Sequence, residues 1–398
     1  MKSPLEHHPD FKLVFHNRQR VFRRAALFGH IGLMESWFDG DVDVEGDIKA
    51  AFAAGMSSGM DRATPLVRVR NWWHEFRHGN GSVDNARENA RFHYALGTEF
   101  YRLWLDEPLM MYTCGYWKEG TRNVHEAQRN KVEHVCRKLL ISPGDEVVDI
   151  GTGFGGFMFH AEQFHGAKVT GTNIVPEQVE MVREEIKKRH LEGRCEVIEA
   201  DFREVRRQYD KVVSIGVLEH AGRDQLEDVV RAHAAQLKPG GLGMLHFIGH
   251  VGRYETEFFI RRHVFPGGWI PSLAETIEAM ERAGLEVMDV ENLRRHYALT
   301  LDGWAERFEK NWDKIHALDP KKFDDRFRRV WRAYLYGCAE MFRSPQGHTH
   351  LFQIVFSKGN AARDAYPMSR AHLYATGTEA GDELAAARDR ESARRGAE

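Results

Sequence analysis

The feature that most constrains this chain is the segment 147–157, VVDIGTGFGGF, where strand-like residues run into a glycine-rich turn that opens a helix. A turn of this kind lets backbone N–H groups approach a polar ligand closely, because no Cβ stands in the way. Around it, residues 143–250 alternate strand-like segments (EVVDIG, AKVTGTNI, CEVIEAD, KVVSIGV, GLGMLHFIG) with helix-like ones (FMFHAEQFHG, EQVEMVREEIKKRHL, QLEDVVRAHAAQLKPGG), the last expected to close on its Pro-Gly-Gly. That order predicts an α/β fold with an open, doubly wound parallel sheet and a ligand at the carboxyl ends of its strands. Asp149, just before the glycines, favours a cationic partner such as an amino group and would repel a pyrophosphate. Asp201, Phe202 and Arg203, at the end of the third strand candidate, suit a slot for a nucleoside base made of a carboxylate acceptor and an aromatic wall.

At 398 residues the chain exceeds one ordinary core, so additions to this sheet are expected. Residues 1–80 read as a small N-terminal domain of short strands and helices, and 81–89 (GSVDNAREN, within GNGSVDNAREN at 79–89) as a linker. Residues 90–359 carry the sheet with aromatic-rich helical insertions, and HLFQIVFSKG adds a strand; the polar stretch 360–398 reads as a mobile tail. From about residue 91 to 137 the pattern is helical, with a turn just after Asp106 ahead of Pro108. A formal net charge of -3 gives no sign of a nucleic-acid partner. The four cysteines, Cys114, Cys136, Cys195 and Cys338, show neither a disulfide framework nor a zinc-site spacing, which fits a reducing cytoplasm with no metal expected. No stretch approaches a membrane span and no signal peptide opens the chain, so membrane contact is expected to be peripheral.

The segments HYALGTEFY, MYTCGYW, GTGFGG, EADFREV, IGVLEHAG, HFIG, FPGGWIPS, HYALTLDGWAERF and YLYGCAEMFR, in that order, resemble the successive blocks of the cyclopropane fatty acid synthases and mycolic acid methyltransferases. The resemblance covers about residues 90–358. More loosely, GLMESWFDGDVDV looks like the small N-terminal domain of the bacterial cyclopropane synthases. It implies a class I, Rossmann-like methyltransferase that uses S-adenosylmethionine to add one carbon to the double bond of an acyl chain in phospholipid. An alkene attacking a sulfonium methyl builds a carbocation, and a base must then remove a proton to close the ring. In the family that base is a bound bicarbonate ion, and its holders correspond to Cys114, Glu219, His246, Ile248 and Tyr297. Cys338 matches another family cysteine, ranked below these because the chemistry needs no thiolate.

For the cofactor the resemblance implicates Tyr112 and Thr113, Asp149, Gly151, Gly153 and Gly155, Asn173, Gln178, and Asp201, Phe202 and Arg203. The chain departs from the family at Thr152 and Phe154, where Cys and Trp are usual, at Asn173, where Thr is usual, and at Ala95 and Thr98, where an Asp-x-x-Asn pattern is usual. The last departure leaves a methyl-branched or methylene product open beside the cyclopropane. A methyltransferase of small amphipathic amines or phenols is the competing class. Phe100, Trp104, Tyr116, Trp117, Phe258, Phe259, Phe265, Trp269 and Trp304 are candidates to line an apolar tunnel, and Arg261, Arg262, Arg294 and Arg295 to meet lipid headgroups. Dimerisation through the N-terminal domain is expected only by analogy with the bacterial synthases.

Overall fold

The computed structural model describes residues 10–58, 64–79, 96–220 and 222–374. Two compact units emerge, and each is built from separated stretches: Met1–Leu105, Tyr254–Trp269 and Arg294–His350 form one, Asp106–Arg253, Ile270–Leu293 and Leu351–Glu398 the other. The linker expected at 81–89 and residues 375–398 of the expected tail lie outside the described residues.

The first unit is helical. Strands β1 (Phe11–Phe15) and β2 (Val42–Gly46) pair antiparallel, with α1 (Arg18–Phe38) between them. Then come α2 (Ile48–Ser57), α3 (Pro65–His78), which starts on Pro65 behind a Thr64 cap, and α4 (Thr98–Trp104). Its interior is aromatic: Phe100, Trp104 and Trp304 are fully buried and Trp331 nearly so. Phe100 meets Trp331 edge-on at 5.1 Å and Trp104 meets Trp304 at 5.7 Å. The expectation that Phe100, Trp104 and Trp304 line a tunnel is therefore corrected, since their faces are occupied by one another. The headgroup role expected of Arg261 is also corrected. Its guanidinium is buried and donates to Gly268 O at 2.9 Å, Asn71 Oδ1 at 3.1 Å and Glu75 Oε2 at 3.0 Å. Arg294 likewise donates to the carbonyls of Phe342 and Ser344.

The second unit holds a seven-stranded sheet ordered β5-β4-β3-β6-β7-β9-β8. Its strands are β3 (Glu146–Ile150), β4 (Lys168–Asn173), β5 (Cys195–Glu199), β6 (Tyr209–Ile215), β7 (Leu237–His250), β8 (Leu285–Asn292) and β9 (Thr349–Lys358). The pairs from β5 through to β7 are parallel, whereas β8 and β9 run antiparallel. The chain enters at β3, winds outward to β5, and returns to β6 on the other side of β3. This reversal opens a crevice beside the carboxyl ends of β3 and β6, the place where such sheets bind ligands. The expected doubly wound α/β class is what the structure shows, a mixed sheet with helical insertions.

Helices α5 (Val124–Lys138), α6 (Gly156–His165), α7 (Pro176–Lys188) and α8 (Leu226–Gln236) serve this sheet. The helix expected to run to the Pro-Gly-Gly ends instead at Gln236, and the KPGG residues lie within β7. The stretch between Asp106 and Asn123 is not helical, correcting the expectation for that part of 91–137. Residues 360–374 are not the free tail expected: α14 (Ala371–Tyr374) buries His372 and Leu373, and Arg370 pairs with Asp289.

Candidate active site

Each glycine of the turn after β3 has its own physical reason. Gly151 has φ +70°, and a Cβ there would fall 2.5 Å from Val217 Cγ2. Gly155 has φ +82°, and its Cβ would strike the Phe159 ring at 2.6 Å. Asn173, at the end of β4, braces the turn from the side. Its amide donates to Gly153 O at 3.3 Å and to Gln178 Oε1 at 2.9 Å, and its own oxygen accepts from Val175 N at 3.0 Å. Asn173 is thus committed within the protein, while the buried Gln178 Nε2 retains a donor without a partner. A ligand oxygen suits that donor.

Asp149 lies at the mouth of the turn, buried, with Oδ2 accepting from Thr152 Oγ1 at 2.7 Å. Burial pushes its carboxyl up to about 7 despite that hydrogen bond and the positive charge of Lys131. Lys131 is itself fully buried on α5 and donates to Thr113 Oγ1 at 2.8 Å. Burial lowers its ammonium pKa, opposed by Asp106, Cys114 and Asp149. Thr113 O also accepts from Gln128 Nε2 at 2.7 Å, so one face of α5 fixes the loop that carries Tyr112, Thr113 and Cys114. Cys114 is fully buried there, its thiol 3.2 Å from Gly115 O and 4.0 Å from Leu293 O.

On the far side of the crevice, β6 ends in a turn of 3₁₀ helix that carries Glu219. Ile248 N donates to Glu219 Oε1 at 2.6 Å, so the backbone of β7 fixes this carboxyl group; Oε2 is shielded from solvent and has no hydrogen-bond partner among the described residues. Burial pushes the Glu219 carboxyl up to about 7. His246, two residues earlier on β7, is buried, and Gln353 Nε2 donates to its Nδ1 at 3.1 Å. The hydrogen of the neutral ring then resides on Nε2, a buried donor without a partner among the described residues. Burial, with the charges of Lys131 and Lys138, drives His246 well below the ordinary imidazole range and keeps it neutral. Glu219 Oε2 and His246 Nε2 are thus a carboxyl oxygen and an imidazole N–H without a hydrogen-bond partner among the described residues, complementary in kind to a small oxyanion that carries a proton.

Asp201 and Arg203 form a fork. Nε and Nη2 of Arg203 reach the two carboxyl oxygens at 2.8 and 2.9 Å, and Arg203 N adds a third bond at 2.9 Å. The Phe202 ring lies beside His233 at 5.1 Å, an aromatic surface next to this rigid pair. Tyr297 and Cys338 belong to the helical unit, on α11 (Arg294–Lys310) and α13 (Asp325–Arg343). Tyr297 is buried, with its ring 4.6 Å from Phe342. Burial and the charge of Glu257 push the Cys338 thiol up to about 12, so it is no thiolate nucleophile.

Sequence reasoning missed Lys131, Gln128 and Gln353. A signal for the first two exists: Val124, Ala127, Gln128, Lys131, Val132, Val135 and Lys138 form one buried stripe of α5 at helical spacing, and polar residues on such a stripe need a buried partner.

Residues 82–354 match the family model described as mycolic acid cyclopropane synthetase. The chain belongs to that family. A probable fatty acid methyltransferase of Pseudomonas putida is 37% identical over 297 residues, covering 72% of this chain and 73% of the relative. The cyclopropane-fatty-acyl-phospholipid synthase of Escherichia coli strain K12 is 30% identical over 350 residues, 85% of this chain and 86% of the relative. Among solved structures, the cyclopropane synthase MmaA2 from Mycobacterium tuberculosis superposes with a TM-score of 0.63 at 28% identity, covering 68% of this chain and 98% of its own. Coclaurine N-methyltransferase superposes at 0.62 over 83% of this chain and 99% of its own, but at 20% identity it shares the fold alone. At the level of the family the chain is an S-adenosylmethionine-dependent methyltransferase of fatty acyl chains.

Proposed function

We propose that this enzyme adds one carbon from S-adenosylmethionine to the double bond of an unsaturated acyl chain in phospholipid and closes a cyclopropane ring, with a bicarbonate ion held in the crevice. The observation that carries the reading is that Glu219 Oε2 and His246 Nε2 are buried and have no hydrogen-bond partner among the described residues. When bound, S-adenosylmethionine supplies an electrophilic methyl group, and bicarbonate supplies an acceptor for the proton lost from the new methyl carbon as the carbocation closes to a ring.

The chain's own residues prepare that setting. Glu219 faces the ligand with Oε2 alone because Ile248 N occupies Oε1. With its carboxyl pushed to about 7, it meets an anion either as an acceptor of the anion's O–H or, protonated, as a donor. His246 donates through Nε2 and, being neutral, cannot deliver a proton to the alkene. Asp149 and Gln178 offer an acceptor and a donor to the cofactor's amino and hydroxyl groups. Apolar burial around the crevice withholds water that would otherwise trap a carbocation.

A phospholipid substrate requires contact with a membrane surface, and α3 supports that contact. Val69, Trp72, Trp73 and Phe76 are 55%, 62%, 51% and 74% exposed on this helix, interspersed with Arg68 and Arg77. Aromatic side chains beside arginines suit the interface of an anionic bilayer. Among the described residues no helix is long and apolar enough to cross a membrane. The 37% identity to a probable fatty acid methyltransferase, with Ala95 and Thr98 in place of Asp-x-x-Asn, favours as second reading a methyl-branched or methylene chain from the same carbocation.

Mass spectrometry and proton NMR of lipids from a host rich in monounsaturated phospholipid, with and without this protein, test the reading. A gain of one CH₂ with upfield ring protons is expected. The same gain with olefinic signals or a methyl-branch signal would move the conclusion to the second reading, and unchanged lipids would overturn both.

A further inference from the structure

On α5 and α6, apart from the residues assigned above to catalysis and cofactor binding, four potential metal ligands converge. Cys136 and Glu133 lie one turn apart on α5, and His160 and His165 lie on α6. The Cys136 sulfur and one ring nitrogen of each histidine are all within 4.8 Å of one another. Glu133 Oε2 is 3.3 Å from His160 Nε2 and 3.0 Å from His165 Nε2. Cys136, His160 and His165 are buried, whereas the Glu133 side chain is 33% exposed and leaves a route from solvent.

We infer that Cys136, His160, His165 and Glu133 form a binding site for a divalent transition metal, zinc by the nature of its donors. One soft thiolate, two imidazoles and one carboxylate make a four-donor tetrahedral set of the type zinc takes in closed, structural sites. With metal–ligand bonds of about 2.0–2.3 Å, neighbouring donors of a tetrahedral zinc lie roughly 3.3–3.6 Å apart. Glu133 Oε2, at 3.3 and 3.0 Å from the two Nε2 atoms, already stands at or just inside that spacing, and the sulfur reaches it by a shift of about 1.5 Å or less. His165 closes α6, where the terminal carbonyls favour a positive charge. Binding displaces the thiol proton to solvent and moves each imidazole hydrogen to Nδ1, leaving Nε2 as the ligand atom. The ion would fasten the end of α6, whose other end opens the glycine turn, to the helix that carries Lys131.

The test uses the full-length, tag-free chain, reduced and stripped of metal, titrated with cobalt(II). About one equivalent of tetrahedral cobalt with a thiolate-to-cobalt charge-transfer band is expected, displaced by zinc. Cys136→Ser should abolish that band, and His165→Gln should weaken binding by about 10-fold or more. Should Cys136→Ser not fold, His160→Gln tests the same site by affinity: cobalt binding should weaken by about 10-fold or more, and unchanged affinity would overturn the site. Zinc should also raise the melting temperature of the wild-type chain and not of the variants. Absence of tetrahedral cobalt, cobalt bound without charge transfer, or a band that survives Cys136→Ser would each overturn the site.

Discussion

Two carboxylates of the sheet unit have opposite fates. Glu291, on β8, is hydrogen-bonded to His134 Nε2 at 2.8 Å and forms an ion pair with Lys138 Nζ at 2.6 Å. Burial alone would raise its pKa, yet these partners hold it down to about 2. Glu219, after β6, has one backbone N–H on Oε1 and nothing on Oε2, and burial pushes it up to about 7. The same unit can therefore neutralise a buried carboxylate with side chains on adjacent helices, and at β6 it does not. An acid group left open inside a fold costs stability, and such groups concentrate where an outside ligand completes the set.

The largest effect that could break this contrast concerns Glu219. Glu219→Gln keeps the shape and, through its amide oxygen, the bond from Ile248 N, but replaces the open carboxyl oxygen with an NH₂, and turnover on phospholipid vesicles should fall about 10²–10³-fold. The sign of its stability effect is the sharper discriminant. Burial pushes the folded carboxyl up to about 7 from an ordinary 4.5, so wild-type stability declines as pH rises from about 4.5 to 7. The glutamine variant should lack that decline, becoming less active yet up to about 3 kcal/mol more stable at neutral pH in urea unfolding. A variant that loses activity and stability together would make Glu219 merely structural.

Glu291→Gln should behave in the opposite way, destabilising by about 3 kcal/mol because Lys138 and His134 lose their anion. The contribution of Glu291 is present above pH 4.5 and is lost as pH falls towards 2, so the acid limb of the wild-type stability curve should flatten in the variant. Next in size, Gln353→Leu removes the donor that keeps the hydrogen of His246 on Nε2; turnover should drop about 10-fold, with the KM for S-adenosylmethionine unchanged. The smallest effect belongs to the surface: Trp72→Ala with Phe76→Ala should weaken sedimentation with anionic vesicles by about 10-fold and leave unfolding midpoints unmoved.

Much of the sheet was legible because glycine turns and strand–helix alternation are local properties. The segments around Glu146–Ile150, Lys168–Asn173 and Tyr209–Ile215 carry their apolar runs on their face. Strand β8 was not legible, since LEVMDVEN is half-exposed along most of its length and sits in helix-rich surroundings. The loop bearing Cys114 reads as helix, but Met110 has φ +50° and Gln128 takes up the carbonyls of Met111 and Thr113, both decided by tertiary contact. Within the candidate site, Glu219 was readable from its place after an apolar strand. Gln353, which tunes His246 from 107 residues away, leaves no mark in the local pattern. The tail illustrates the limit of composition: a polar stretch is anchored by Leu373, His372 and one arginine pair to Asp289.

The way the two units share the chain sets a timetable for synthesis. The helical unit is completed only by Arg294–His350, and the sheet only by β9, which inserts between β7 and β8. A ribosome must therefore deliver nearly all of the described polypeptide before either unit can close, and the nascent chain carries the β7 and β8 strands with an unfilled neighbour position until β9 emerges. Truncation before Lys358 would remove residues from both bodies at once or strip the sheet of its seventh strand. Protection of those waiting strands by cellular chaperones, more than the final free energy of folding, would then govern how much enzyme a cell obtains.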